Sequence, residues 1–516
     1  MLMFKSSFIV MIINMMSRLL GLIREMIIAN MFGATGLTDA YVSATKIPNF
    51  FTTLFGEGSM GTVFIPIYNR GLEEEGKERI NEFVYSVLNL IITFTSTMSI
   101  IIIVFSRQIL KITTGFADAQ RFETANNLLK ITAFYFLFIA LSGVVSSLLN
   151  NYKKFAVAAS MGIVFNLTII IGTIILGKKM GIYGLGISYL LSGVLQLAIM
   201  LPDFFKIMKT YKFTFNLNDK YVVEMFKLMV PTLIGIFGYQ INEIIDNRFA
   251  TKLSAGTASA LNYASRLYLL PIGVFAISLS VVIFPTLSQA VVKNERKKVK
   301  RVVEQGLNML SFLIVPSTVI LYGYAREIVT LIYKRGNFSD KNVLVTTETL
   351  QFYALGLLFF STIHLLTRSH YVYKDRTLPV ISSFVSIGCN VLLDNLLYKQ
   401  YAHKGLTFAT SFAAFVNFTI LFISLNKRHI KINNLKYIVS LIVASSFSMA
   451  AFHVSRYINI ARLGKFGILL NVLIFAIVYL FLWGIIFTIK RMLLPNKKKK
   501  KNKKQEKNYL DLNSIF

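Results

Sequence analysis

Charge is scarce in this chain, and acid is the scarcest part of it. Only 15% of its 516 residues are charged, with 24 Asp and Glu against 55 Lys and Arg. A soluble chain of this length would divide into several domains. No stretch between the apolar blocks is long enough to hold one; the longest polar segments lie around Phe204–Val222 and Arg326–Val345. The single cysteine, Cys389, lies within an apolar block, which excludes a disulfide framework and a cysteine metal site. HExxH, GxSxG and a phosphate-cradling glycine loop before a lysine are all missing, so no catalytic constellation stands out and an enzyme is not expected. Of the five histidines, His364 and His370 fall in one apolar block, and His364 suits packing better than ligation. The first apolar block is too long and too charged for a secretory signal, and no small-residue cleavage site follows it. The net charge of +31 could mean nucleic acid, but no nucleic-acid fold has room here. The tail LPNKKKKKNKKQEK reads instead as a solvated end that fixes topology and leans on anionic lipid.

What the chain does have is apolar residues: 55% of the total, with a mean hydropathy of +0.60. They come in blocks of about 20–28, the span of a roughly 30 Å hydrocarbon core. The fold class expected is therefore an all-α polytopic membrane protein with about fourteen transmembrane helices. An even count puts both termini on one side. Lys and Arg number roughly 32 on that side and 16 opposite, falling to about 22 against 16 without the tail, which places both termini in the cytoplasm.

The chain also repeats itself. VFIPIY resembles VIFPTL, matching Pro66 to Pro285, 219 residues on. YGLGISYLLSGVLQL resembles KGLTFATSFAAFVNF, matching Gly184 to Gly405 at an offset of 221, and Asn166 matches Asn390 at 224. Two six-helix halves follow, residues 1–215 and 216–430, with two extra helices in 431–490 and the basic tail in 491–516. The offset spans an even number of helices, so the repeats run parallel. Such repeats build transporters with a midplane site between them.

Charges then appear where a bilayer disfavours them, at about 2.5–3.5 kcal/mol each near its centre. SRLLGLIRE, inside the apolar run Phe8–Phe32, carries Arg18, Arg24 and Glu25. Ser17, Gly21 and Arg24 share one face, where small residues would let another helix approach closely. Local pairing of Arg24 with Glu25 is the weaker reading, because adjacent positions do not face each other on a helix. In the second block, Asp39, Lys46, Thr53 and Glu57 fall on one stripe, and Pro48 with the glycines at 56, 58 and 61 interrupts the helix. Irregular backbone at that depth lines a cavity or is buried in protein. Arg266, just before Pro271, adds a cation from the second half. Guanidinium forks match phosphate oxygens bidentately, so a phosphate ligand leads; anchoring of Arg266 at the headgroups is the alternative.

A second set is made of oxygens. Asn390 and Asp394 are four apart on the eleventh helix; the seventh carries Asp246 and the twelfth Thr410. The repeat partner of Asp394 is Ile170, so the carboxylate belongs to one half only. Such ligands suit a hard, small monovalent cation, or else a hydrogen-bonded helix contact.

SRLLGLIREMIIANMFGATGLTDAYVSATKIPNFFTTLFGEGSMGTVFIPIY and NYASRLYLLPIGVFAISLSVVIFPTLSQA resemble helices one, two and eight of the MurJ/MviN family. These are lipid II flippases of the multidrug/oligosaccharidyl-lipid/polysaccharide exporter superfamily, and the resemblance covers the whole chain. It implies alternating-access movement of undecaprenyl-diphosphate-linked peptidoglycan precursor to the outer leaflet of a bacterial cytoplasmic membrane, for cell wall biogenesis. A related exporter of another polyprenyl-linked oligosaccharide, or of drugs, is the competing reading. By resemblance, Arg18, Arg24, Asp39, Glu57 and Arg266 line a cationic cavity. The family's arginine in its PNxxR stretch is replaced by Thr52, and Lys46 is the candidate substitute. Asp246, Asn390, Asp394, Thr410 and the Leu406 carbonyl match a sodium site, and the last two helices match a groove for the lipid tail. No other cofactor is expected, the protein should act as a monomer, and the membrane potential should act on the cavity charge.

Overall fold

The computed structural model describes residues 2–55, 59–209, 211–458 and 465–493. Glu57 and nearly all of the basic tail lie outside the described residues. Among the described residues every regular element is helical. The chain forms two compact units. The first, Met1–Tyr263 with Tyr333–Asn342, contains α1 (Leu2–Phe32), α2 (Gly36–Phe55), α3 (Ser59–Val104), α4 (Ser106–Thr113), α5 (Ala119–Thr132), α6 (Tyr135–Asn151), α7 (Phe155–Ala159), α8 (Met161–Met180), α9 (Ile182–Ala198), α10 (Leu201–Met208), α11 (Lys220–Lys252) and the first turns of α12 (Thr257–Pro271). The second, Ala264–Ile332 with Val343–Phe516, contains the rest of α12, a π-helical stretch Ile272–Ile277, α13 (Ser278–Val292), α14 (Arg296–Gly323), most of α15 (Ala325–Tyr333) and α16 (Asp340–Val372), then α17 (Thr377–Arg428), α18 (Asn434–Tyr457) and α19 (Lys465–Leu493).

Ten helical stretches among the described residues are long and apolar enough to cross a membrane. The expected fourteen are not all recovered by that measure, which covers the described residues alone; in α1, α2 and α17 the reason is physical. Arg18, Arg24 and Glu25 interrupt the apolar run of α1, as Asp39 and Lys46 do that of α2. α17 counts once, yet its 52 residues would make about 78 Å of helix, far more than a single roughly 30 Å core needs. It breaks at Ala402 (φ 49, ψ −131). Across the break the Ser386 hydroxyl donates to the Ala413 carbonyl at 2.7 Å, so the two halves lie side by side as a hairpin.

The same hairpin stands 221 residues earlier. α8 meets α9 at Gly181 (φ 59, ψ −139), the repeat partner of Ala402. A Cβ on Gly184 would fall 2.3 Å from the Leu176 carbonyl oxygen, and one on Gly405 2.8 Å from that of Leu397, so each turn demands glycine three residues on. The internal repeat is thus visible as one helix–turn–helix built twice.

Compactness does not follow the repeat boundary at 215/216. α11, which the repeat assigns to the second half, packs within the first unit: the Asn247 amide donates to the Ser43 hydroxyl at 3.1 Å, and the Tyr221 ring meets Phe83 edge-on at 6.0 Å. Asp219 starts α11 by accepting from the Tyr221 and Val222 N–H groups, satisfying donors that no helical carbonyl can reach. One core of the first unit sets the fully buried rings of Phe64, Tyr68, Phe83 and Phe136 among aliphatic side chains. In the second unit α18 and α19 close on α14 through Phe447, Tyr479 and Trp483, and the Tyr479 hydroxyl donates to the Phe312 carbonyl at 2.8 Å. Large apolar side chains such as Ile171, Val282, Leu392 and Leu396 are instead turned outward, Val282 at 71% exposure. In water that coat would drive association; in a bilayer it faces lipid.

Candidate substrate-binding and cation sites

The face of α1 bearing Ser17, Gly21 and Arg24 packs on α8. Asn166 donates to the Ser17 carbonyl at 2.9 Å, and a Cβ on Gly21 would rest 3.6 Å from the Asn166 amide oxygen. Close approach brings the Arg24 guanidinium over the Phe165 ring, 5.1 Å from its centroid, with the side chain 12% exposed. Arg24 also forms an ion pair with Glu25, contrary to the expectation from helical spacing. The arginine side chain is long enough to curl back along the helix, and leaving either charge alone at this depth would be costly. Arg18 is exposed.

Asp39 is fully buried and holds backbone together. Its Oδ1 accepts from the Ser259 N–H at 2.8 Å and the Ser259 hydroxyl at 2.7 Å; its Oδ2 accepts from the Gly256 N–H at 2.7 Å and Arg121 Nη2 at 2.8 Å. The carboxylate therefore caps the N-terminus of α12 from α2, where unpaired N–H groups and the helix dipole favour an anion. Gly256 (φ +91) makes this possible: a Cβ there would lie 2.2 Å from the Ala34 carbonyl oxygen. Lys46, the candidate substitute cation, pairs with Glu243 of α11 at 2.6 Å. Thr52 is buried and donates to the Pro48 carbonyl at 3.0 Å, so the position that bears arginine in the resembled family is internally satisfied here. The first unit thus sets Arg24, Lys46 and Arg121 each against a carboxylate. In the second unit Arg266 is exposed on α12.

The oxygen set divides between the units. Asp246 lies on α11 in the first unit, with the Asn242 amide 3.4 Å from its Oδ2. In the second, Asn390 and Asp394 are both buried, and Asn390 Nδ2 donates to Asp394 Oδ2 at 3.2 Å. The hairpin turns the opposite half, with Leu406 and Thr410, back along the same stretch; the Thr410 hydroxyl donates to the Leu406 carbonyl at 3.0 Å.

The family model described as lipid II flippase MurJ matches residues 28–482. The chain belongs to the MurJ family. A probable lipid II flippase MurJ of Buchnera aphidicola subsp. Schizaphis graminum is 31% identical over 447 residues, covering 85% of this chain and 87% of its own. A solved structure of the lipid II flippase MurJ in an inward closed conformation is 30% identical, covering 94% of this chain and 99% of its own, with a TM-score of 0.81. An inward-facing MATE multidrug resistance transporter shares the fold at 12% identity and a TM-score of 0.66, covering 85% of this chain and 98% of its own.

For a MurJ-family chain, the residues that reading the sequence missed are the partners of the charges it found. Arg121 opens α5, where a basic residue looks like an ordinary headgroup contact. Glu243 stands in QINEIIDN three residues before Asp246, at a helical spacing that could have signalled a shared face.

Proposed function

We propose that this protein moves lipid II, the undecaprenyl-diphosphate-linked peptidoglycan precursor, from the inner to the outer leaflet of a bacterial cytoplasmic membrane by alternating access. It is a multi-pass carrier with both termini in the cytoplasm, acts as a monomer, and makes or breaks no bond in its cargo. The observation that carries the reading is Arg24, held 12% exposed in the first apolar helix of a MurJ-family chain.

The ion pairs suggest how an anionic headgroup is taken up. Stripping a buried cation of its partner costs about 3–5 kcal/mol, so the cations are not left bare before cargo arrives. A diphosphate replaces Glu25 at Arg24, where the guanidinium fork fits two phosphate oxygens. Lys46 exchanges Glu243 in the same way and supplies charge in place of the absent arginine at Thr52. Arg18 and Arg266, both exposed, contribute further cations. Asp39 keeps the start of α12 in place. Sodium couples to the cycle through Asp246, Asn390, Asp394, the Leu406 carbonyl and the Thr410 hydroxyl, oxygen ligands suited to a hard cation. α18 and α19 carry the lipid tail.

The test is complementation of flippase-depleted cells together with binding of lipid II against other polyprenyl-linked sugars. Arg24→Ala should reach the membrane yet fail to restore growth, and Arg24→Lys should fail as well because it lacks the fork. Growth restored by Arg24→Ala refutes the site; equal binding of unrelated polyprenyl sugars refutes the cargo.

A further inference from the structure

Three chemistry-bearing side chains meet in the second unit away from the sites above. His370 lies near the end of α16, Asp375 in the turn before α17, and His429 just after α17. Their ligand atoms all lie within 4.8 Å of one another. His370 Nδ1 stands 3.4 Å from Asp375 Oδ2, and His429 Nε2 stands 3.6 Å from the same oxygen. Neither nitrogen makes a hydrogen bond, although both are buried.

The tautomer of His370 makes this arrangement informative. Its Nε2 lies 3.1 Å from the Leu421 carbonyl oxygen, which can only accept, so Nε2 carries the hydrogen. In the neutral ring that tautomer leaves Nδ1 as a lone pair facing a carboxylate oxygen, with the His370 side chain fully buried, an arrangement that a cation held between the two would complete. A histidine that gives one N–H to a backbone carbonyl while the other nitrogen faces a carboxylate is oriented as metal-ligating histidines are.

We propose that His370, Asp375 and His429 bind a divalent transition metal, zinc foremost, which clips the end of α16 and the following turn to the end of α17. Two imidazole nitrogens and one carboxylate oxygen are a zinc donor set, with a fourth position left for water. Zinc lies about 2.0–2.2 Å from such atoms, and a tetrahedron of that size has edges of about 3.3 Å, near the two distances to Asp375 Oδ2. Asp375 Oδ1 is occupied by the Leu378 N–H at 3.2 Å, which fixes the carboxylate and aims Oδ2 inward. The His429 ring stacks on Tyr373 at 4.2 Å between centroids and 8° between planes. Arg428 is the competitor: its guanidinium reaches to 3.8 Å from the same oxygen, but the side chain is 61% exposed and can turn away into water.

The experiment uses the full chain, purified in detergent, stripped with chelator and titrated with zinc chloride. One zinc should bind per chain, raise the melting temperature, and leave with chelator; magnesium should do neither. Asp375→Asn and His429→Ala should each weaken binding by more than the 10–100-fold that outer-shell partners alone are worth. His453→Ala, at an exposed histidine elsewhere, should leave it unchanged. His429 lies at a helix end, so its variant tests the site even if His370→Ala does not fold. Zinc binding that persists unchanged in well-folded Asp375→Asn and His429→Ala, or no zinc-dependent shift in the native chain, overturns the proposal and leaves only an imidazolium–carboxylate pair.

Discussion

Replacing Asp39 by asparagine keeps the side chain's shape and removes its charge, so it isolates what the buried carboxylate contributes. The four donors around it are the Ser259 N–H and hydroxyl on Oδ1 and the Gly256 N–H and Arg121 Nη2 on Oδ2. An amide offers one accepting oxygen and one NH₂. Its better orientation puts NH₂ toward Ser259, whose hydroxyl can turn to accept but whose N–H cannot. One backbone donor is then orphaned, at about 1–3 kcal/mol. Arg121, 12% exposed, loses its counter-charge, and breaking a buried pair from one side costs about 3–5 kcal/mol. The two losses overlap, so the expected destabilisation is about 3–5 kcal/mol rather than their sum. Arg121→Gln should cost a similar amount by stranding the carboxylate. The double variant should recover about 1–3 kcal/mol relative to additivity. Equilibrium unfolding of the full chain by SDS in mixed micelles, followed by circular dichroism, reads all three. Single variants within about 1 kcal/mol of the native chain that also add in the double would refute the assignment of Asp39 as the lock on α12.

Sodium should raise the melting temperature of the purified protein, because it binds the folded state alone, and potassium should not; an undiminished sodium response in Asp394→Ala would remove that residue from the site. The membrane potential should bias the transport cycle: two negative headgroup charges moving outward across 100 mV gain up to about 4.6 kcal/mol, less if the loaded cavity is nearly neutral. Accessibility of cysteines introduced beside Arg24 should therefore redistribute when the potential is collapsed at constant sodium; unchanged accessibility and unchanged lipid II export would refute voltage drive. For the metal clip, acidification below the ordinary histidine range should release zinc, since protons compete for the ring nitrogens; retention of zinc at pH 5 would argue against histidine ligation.

Reading the sequence succeeded where the signal is local. The helices are legible because apolar blocks have a length set by the bilayer. That another helix packs closely on α1 is legible because Ser17, Gly21 and Arg24 share a helical face, though not that the partner is α8, and the Asn390–Asp394 pair because four residues make one turn. What escaped is set by contacts distant in sequence. Arg121 meets Asp39 across 82 residues and Glu243 meets Lys46 across 197; the spacing of Glu243 to Asp246 marks a shared face but does not point to Lys46 as the partner. Arg24 with Glu25 failed differently: spacing rules describe where side chains start, while a long arginine chooses where it ends. His370 and His429 are 59 residues apart and become neighbours only because α17 doubles back.

That doubling back also constrains how the protein is made. The reversal at Ala402 leaves no loop between the two halves of α17, and an alanine held at φ 49 tolerates little further bending. A reversal this short suits entry of the two halves into the bilayer together. If the first half entered alone, Asp394 would face lipid, a burden of about 2.5–3.5 kcal/mol near the bilayer centre. Entering as a finished hairpin, it meets the membrane already covered by the helix that follows. Joint entry would hide from lipid the polar face that is buried in the mature protein, and the tight turn would then serve biogenesis as well as architecture.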